Sequence, residues 1–295
     1  MIVVAAGGIF NVILGFVLFL FIVPALSPIS TNVIDEVVEN SYIEEAGILP
    51  GDEVVEINGK HVSFYNDISL YTQDFRAGEE CELVVKRDGE KLSFTFRPSE
   101  SVTEYTYTDE GIEVTSSMNG VSEETVLYRY GEGAERDDSK IGTTETVTRL
   151  IIGFRPQQED INALNIWGEA WNETKFVVKL VYNSLWQMVT GRVGMDQMSG
   201  PVGIVAEVNN AVNSGSESWL YVLNLTALLT INLGVFNLLP IPALDGGRLL
   251  FMIIELIRRK PIPPEKEGIV HAIGFLLLIA LIIAVSFNDI MRLIR

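Results

Sequence analysis

The sequence predicts a multi-pass α-helical membrane protein with one α+β soluble domain inserted between its spans. Three observations carry that prediction. Apolar runs free of Asp, Glu, Lys and Arg cover residues 2–26, 219–239 and 268–287, each close to the ~20 residues a helix needs to cross hydrocarbon. Hydrophobic residues make up 48% of the 295, yet the net charge is −18 and the mean hydropathy is +0.28. A uniform globule does not combine these values, whereas apolar spans joined to an acidic soluble part do. Between the first two runs, residues 34–98 alternate in polarity and are broken by turn dipeptides, the pattern of a small mixed domain.

The elements follow in order. Membrane-like sequence follows Met1 at once, without the basic leader and short apolar core of a signal peptide. Gly7 and Gly8 permit close helix packing, and Asn11 suits a hydrogen bond to a neighbouring helix; it reads equally as a satisfied polar residue within a span. Past Pro24 and Pro28 the pattern changes. Residues 67–74 predict a helix. Residues 81–87 and 91–97 predict a hairpin closed by Asp88-Gly89. The segment 99–160 is rich in Asp, Glu, Ser, Thr and Gly, with β-like pieces at 105–107, 125–130 and 148–154 and a loop at 132–140. Its charge reads as a solvated face, with a basic substrate segment as the alternative partner.

Residues 168–190 place Phe176, Val177, Leu180, Val181, Leu185 and Met188 on one helical face. Trp167, Trp171 and Trp186 suit a membrane interface. Lys175 and Lys179 interrupt a span, so an amphipathic helix lying on the bilayer is expected. Residues 248–260 form a second amphipathic stretch that ends in Arg258-Arg259-Lys260. The domain reading is therefore 1–28 transmembrane helix, 29–98 folded soluble domain, 99–166 acidic extension and 167–215 interfacial helix with a Gly-Pro turn. It continues with 216–265, a transmembrane helix and its following helix, and 266–295, a C-terminal transmembrane helix.

Charge sets the expected orientation. The densest basic cluster in a short loop is 258–266, which should be cytoplasmic. Counting back across the spans places residues 29–215 outside the cell membrane and the Asp245 side near the cytoplasm. Arg292 and Arg295, on a tail that would then lie outside, argue mildly against this. The acidity excludes nucleic acid as a main partner, and the lone Cys81 excludes a disulfide framework or a multi-cysteine metal site.

The chemistry-bearing stretch is Asn237-Leu-Leu-Pro-Ile-Pro-Ala-Leu-Asp-Gly-Gly-Arg248. A carboxylate bordering a span is costly and marks a functional site by default. Pro240 and Pro242 bend the chain, and Gly246 and Gly247 permit close approach. The competing reading is a span that ends in a Pro-rich loop, with Asp245 capping the next helix.

This motif resembles the third-ligand motif of the site-2-protease family of intramembrane zinc metalloproteases, particularly the bacterial regulators of sigma-factor signalling. The resemblance implies that Asp245 is a zinc (Zn2+) ligand and that Asn237 sits beside the catalytic centre, steadying substrate backbone or the transition state. Residues 5–11, Ala-Ala-Gly-Gly-Ile-Phe-Asn, resemble the opening of the family's second transmembrane helix. Ser199-Gly-Pro-Val-Gly-Ile204 resembles the signature before its third. Residues 44–61 resemble the PDZ signature of bacterial proteases, so the inserted domain is expected to be PDZ-like and to take a peptide or protein ligand by strand addition, or else to serve only as a packing module that shields the protease.

The family's other two zinc ligands and its general base lie in a His-Glu-x-x-His helix. This chain has only His61 and His271, and neither begins that motif. The expectation is therefore a fragment of an enzyme of regulated intramembrane proteolysis, acting on a single-pass membrane protein such as an anti-sigma factor, with the catalytic helix encoded upstream of Met1. On that expectation the chain as it stands is inactive. His271 as a replacement ligand is the weaker reading, since one His and one Asp make a poor zinc site. The alternative function is a non-catalytic, membrane-anchored PDZ module derived from that family.

Overall fold

The computed structural model describes residues 2–131, 136–191, 200–213 and 218–294. The chain divides into two compact units, Met1–Ser27 with Ile161–Arg295, and Pro28–Asp160. The first unit opens with helix α1 (Ile2–Ala25), which has Pro24 in its last turn.

The second unit is built on two antiparallel sheets. Strand β1 (Ile29–Val37) leads through the short helix α2 (Tyr42–Glu45) to β2 (Glu53–Ile57), β3 (Lys60–His61) and helix α3 (Tyr65–Thr72). Strands β4 (Cys81–Arg87) and β5 (Glu90–Phe96) form the expected hairpin. Both turn residues, Asp88 and Gly89, have positive φ, as the twist-matched two-residue turn requires. With β10 (Phe154–Glu159) these strands make a six-stranded sheet in the order β10-β1-β2-β4-β5, with β3 on β2. Its core packs Ile34, Ile43, Val54, Ile57, Val62, Ile68, Leu83, Val85 and Phe96.

The acidic extension is a sheet in its own right. Strands β6 (Ser99–Tyr107), β7 (Gly111–Met118), β8 (Val121–Arg129) and β9 (Thr144–Ile151) pair antiparallel in the order β8-β7-β6-β9. The sequence reading shortened β6 and passed over β7. Ile112 and Val114 alternate there with Glu, Thr and Ser, a two-faced strand of weak apolar content. Part of the expected 132–140 loop, residues 132–135, lies outside the described residues.

An ion pair ties the first turn of this unit to its hairpin. Asp52 is 1% exposed; its Oδ1 and Oδ2 accept from Nε and Nη2 of Arg87 at 2.7 Å each, and Oδ2 also accepts Leu49 N–H at 2.9 Å. Burial pushes the Asp52 carboxyl up, but the Arg87 hydrogen bonds, the Leu49 amide and the guanidinium charge outweigh it and hold the group below its ordinary value. The two-pronged geometry fixes the 49–52 turn against β4.

The first unit resumes with α4 (Ile166–Val189), α5 (Pro201–Asn213), α6 (Ser218–Leu238), α7 (Asp245–Arg258) and α8 (Pro264–Ile294). Helices α1, α6 and α8 are long and apolar enough to cross a membrane. α1 and α6 run antiparallel, because Gly8 lies against Leu238 and Gly15 against Ile231. A Cβ on Gly15 would enter the Ile231 side chain, so the helices meet at a separation that only small residues allow. α4 joins them: Ala170, Val177 and Val181 pack with Phe19, Ile22, Ala227, Ile231 and Val235 in one core. Its Trp167, Trp171 and Trp186 stay exposed, at 60%, 53% and 62%.

Replacing Asp52 with Ala is expected to destabilise the soluble unit by about 2 kcal/mol, since charged hydrogen bonds to a buried group are lost. Because the Asp52 pKa is lowered in the fold, this contribution is present above the unfolded carboxyl pKa, ~3.9, and fades as pH falls through the folded value. Amide exchange across β2 and β4 in the full chain, followed against pH, checks both; an acid limb unchanged by Asp52→Ala would contradict the assignment.

Candidate functional site

The segment between α6 and α7 folds back tightly on itself. Helix α6 closes with Leu239 N–H bonded to Val235 O and Phe236 O at 3.2 and 3.1 Å. Pro240 cannot continue the ladder. Ile241 N–H then bonds to Leu239 O at 2.7 Å, and Leu244 N–H to Ile241 O at 3.2 Å. With Pro242 second and Ala243 third at φ +83°, residues 241–244 have the form of a type II turn. Helix α7 starts directly after it, with extended Leu244 as its N-cap. Asp245 is thus the first helical residue and not the cap, and its carboxylate is free of the capping role that the competing sequence reading gave it.

Two contacts aim that carboxylate. Gly246 is buried, and a Cβ there would collide with Leu239 O, so the first turn of α7 lies directly on the backbone at the end of α6. Asp245 is half-buried, and its Oδ2 lies 3.6 Å from where a Cβ on Gly7 would stand. The antiparallel α1–α6 packing brings the start of α1 to the end of α6, and the carboxylate lies beside Gly7 there. Asn11 and Asn237 are half-buried on the same two helices, and a Cβ on Gly234 would come within 3.1 Å of Asn11 Cβ.

His271 does not join Asp245 as a second ligand. Its Nδ1 accepts the Ala243 N–H at 2.9 Å, its ring lies 5.6 Å from that of Phe251, and its Nε2 is 3.9 Å from Glu267 Oε1. His61 belongs to the soluble unit, where its Nδ1 lies 3.0 Å from Val55 O. No group of three or more His, Cys, Asp and Glu side chains comes together among the described residues. By their own donors, then, these residues do not fit a zinc ion: they offer one carboxylate.

Asp289 is a buried group that sequence reasoning passed over. It is 2% exposed, and its Oδ2 accepts the N–H groups of Gly200 and Gly203 at 2.9 Å each, so a carboxylate on α8 holds the first turn of α5. The signal was in the sequence as an acidic residue near the end of an apolar run, the same signal that singled out Asp245. Ser199 of the Ser-Gly-Pro-Val-Gly-Ile signature lies outside the described residues.

The soluble unit carries a cleft of about 740 Å³ between α3 and the β9–β10 connection, lined by Tyr65, Ile68, Thr72, Phe75, Ile152 and Phe154 among others. Gly153, at φ +108°, sets the lip of this cleft, since a Cβ there would collide with Ser41. Val38 N–H bonds to Gly153 O at 2.9 Å. β10 is the end strand of its sheet.

Comparison with known proteins gives one consistent family. The model of Peptidase family M50 matches residues 1–281. The chain is 32% identical over 291 residues to the zinc metalloprotease RasP of Oceanobacillus iheyensis, covering 98% of this chain and 58% of that protein. It is 32% identical over 295 residues to the regulator of sigma-W protease RasP of Bacillus subtilis, again 98% of this chain and 58% of the relative. A putative zinc metalloprotease of Clostridium acetobutylicum is 33% identical over 288 residues, with 98% and 71% covered. The chain thus spans less than two thirds of the length of the two RasP proteins.

Gly246→Ala is expected to displace the α6–α7 connection and cost about 1–3 kcal/mol through overpacking. Thermal unfolding in detergent and proteolysis at 239–245 check this; a variant that melts like the parent, with no new cleavage there, would contradict the close approach.

Proposed function

The chain belongs to Peptidase family M50, and from that premise we propose that it forms the Asp245-bearing part of a zinc metalloendopeptidase that cuts single-pass membrane proteins, an anti-sigma factor being one candidate. The observation that carries the reading is the position of the Asp245 carboxylate beside Gly7, at the start of an apolar helix. Asp245 is the ligand this chain would contribute. Two His ligands and a general-base Glu come, on this proposal, from a His-Glu-x-x-His segment outside these 295 residues. Held by those residues together with Asp245, zinc would supply Lewis acidity and acidify a bound water. Asn237, in the last turn of α6, is proposed to hold substrate backbone beside that centre.

The basic 258–266 loop supports a cytoplasmic location for the α7–α8 connection, and with it an extracytoplasmic position for residues 29–215. The soluble unit is read as PDZ-like, with the free edge of β10 and the α3 cleft receiving an extended peptide by strand addition. Its ligand is proposed to be an exposed segment of a membrane protein.

Two experiments test this. When the protein carrying an upstream His-Glu-x-x-His segment is reconstituted with a single-pass substrate, zinc-dependent cleavage is expected. Asp245→Asn should reduce both cleavage and zinc retention by at least ~100-fold, since even outer-shell changes cost 10- to 100-fold. Full cleavage by the variant would remove Asp245 from the mechanism, and no cleavage by the parent would favour the non-catalytic binding module. For the cleft, peptides from such substrates should shift the NMR signals of β10 and α3, and Ile152→Asp should abolish the shifts. Shifts confined to other strands would place the ligand elsewhere.

A further inference from the structure

We infer that His271 is a positioning residue for Asp245, acting by selecting the backbone conformation of the turn that precedes it; this rests on the proposed role of Asp245. The turn at 241–244 has Pro242 at its second position and Ala243 at its third, with Ala243 at φ +83°. A type II turn asks for glycine at that third position, because an L side chain disfavours positive φ there, and a Pro-Ala pair alone favours type I. The two forms differ by a flip of the central peptide, which joins Pro242 to Ala243. Something outside the turn must therefore select the flipped form.

Helix α8 touches that peptide unit on both of its atoms. His271 Nδ1 accepts the Ala243 N–H at 2.9 Å. One turn further along α8, Gly274 lies so close that a Cβ would stand 2.7 Å from Pro242 O and 2.6 Å from Pro242 Cβ. His271 and Gly274, three residues apart, share a helical face. A flipped-back peptide would turn its carbonyl toward the His271 nitrogen, acceptor against acceptor. With Nδ1 unprotonated, the clasp therefore favours type II over the type I form.

The same hydrogen bond fixes the ring. An N–H donor at Nδ1 leaves the imidazole proton on Nε2, and Nε2 is buried without a hydrogen-bond partner among the described residues. The Phe251 ring, from α7, holds the imidazole in place. Leu244 and Asp245 follow the clasped peptide directly, so a flip re-aims the first turn of α7 and the carboxylate on it.

The tautomer is readable without any activity. The chain has two histidines, so 15N-histidine labelling of this 295-residue protein in lipid gives two rings, separated by a His61→Gln control. His271 is expected as the Nε2–H tautomer with an unprotonated, hydrogen-bonded Nδ1. A protonated Nδ1 would overturn the proposal whatever the protein cleaves.

Variants test the positioning in the zinc-loaded protease. His271→Asn, which returns an acceptor near the Nδ1 position, should keep most of the turnover. His271→Leu should lower it by on the order of 100-fold, as misplacement by about an ångström does. Ala243→Gly in the His271→Leu background should recover most of the loss, because glycine takes the positive φ unaided. Full turnover in His271→Leu, or no recovery with Ala243→Gly, would overturn the positioning role. If the parent cleaves nothing, the protease reading fails instead, and the ring spectrum still decides the clasp.

Discussion

Backbone meeting backbone without an intervening side chain is the constraint on which the helical unit depends. Gly234 lets the backbone of α6 lie on that of α1 at Gly8, which brings the start of α1 to the end of α6. Gly246 then lets the first turn of α7 settle on Leu239, and the carboxylate following the Pro-rich turn lies beside Gly7 at the start of α1. In a lipid environment little hydrophobic force drives helices together, and close contact of this kind supplies the association. A methyl group at either glycine would move elements, not only side chains.

The parts of the fold legible in the sequence were those whose local chemistry has one outcome. Charge-free runs could only be apolar helices, and Asp88-Gly89 between two alternating segments could only be a tight hairpin turn. Strand β7 was missed because the short alternation of Ile112 and Val114 is diluted by Glu, Thr and Ser, and pairing with β6 and β8 on both sides holds it in place. The interfacial character expected of α4 rests on its tryptophans, and the structure shows only that these are exposed. Its packing through Ala170, Val177 and Val181 onto α1 and α6 depends on partners far away in the chain.

At the site, the same division holds. Asp245 stood out because a carboxylate beside a span is expensive anywhere. His271 and Asp289 did not show their roles, because each acts on backbone amides: Ala243 for one, Gly200 and Gly203 for the other. Amides are present at every residue and leave no trace in composition. Charge divides as sharply as structure. Residues 28–160 hold 29 of the 39 acidic and 11 of the 21 basic residues, so the −18 of the whole chain lies in the soluble unit and the helical unit is balanced at 10 of each. A neutral helical unit suits hydrocarbon, and a strongly acidic partner unit favours solvent and basic segments over anionic lipid.

The most direct measurement is oxidative cross-linking of a Gly7→Cys, Asp245→Cys pair in native membranes, with Gly8→Cys, Leu238→Cys as a reference pair on the same helices and Cys81 left buried in the soluble unit. Rapid cross-linking of both pairs is predicted, because the Asp245 side chain faces the start of α1. Cross-linking of the reference pair alone would leave α1 and α6 packed but send the carboxylate elsewhere, and the account of Asp245 as the chain's metal ligand would fall with it.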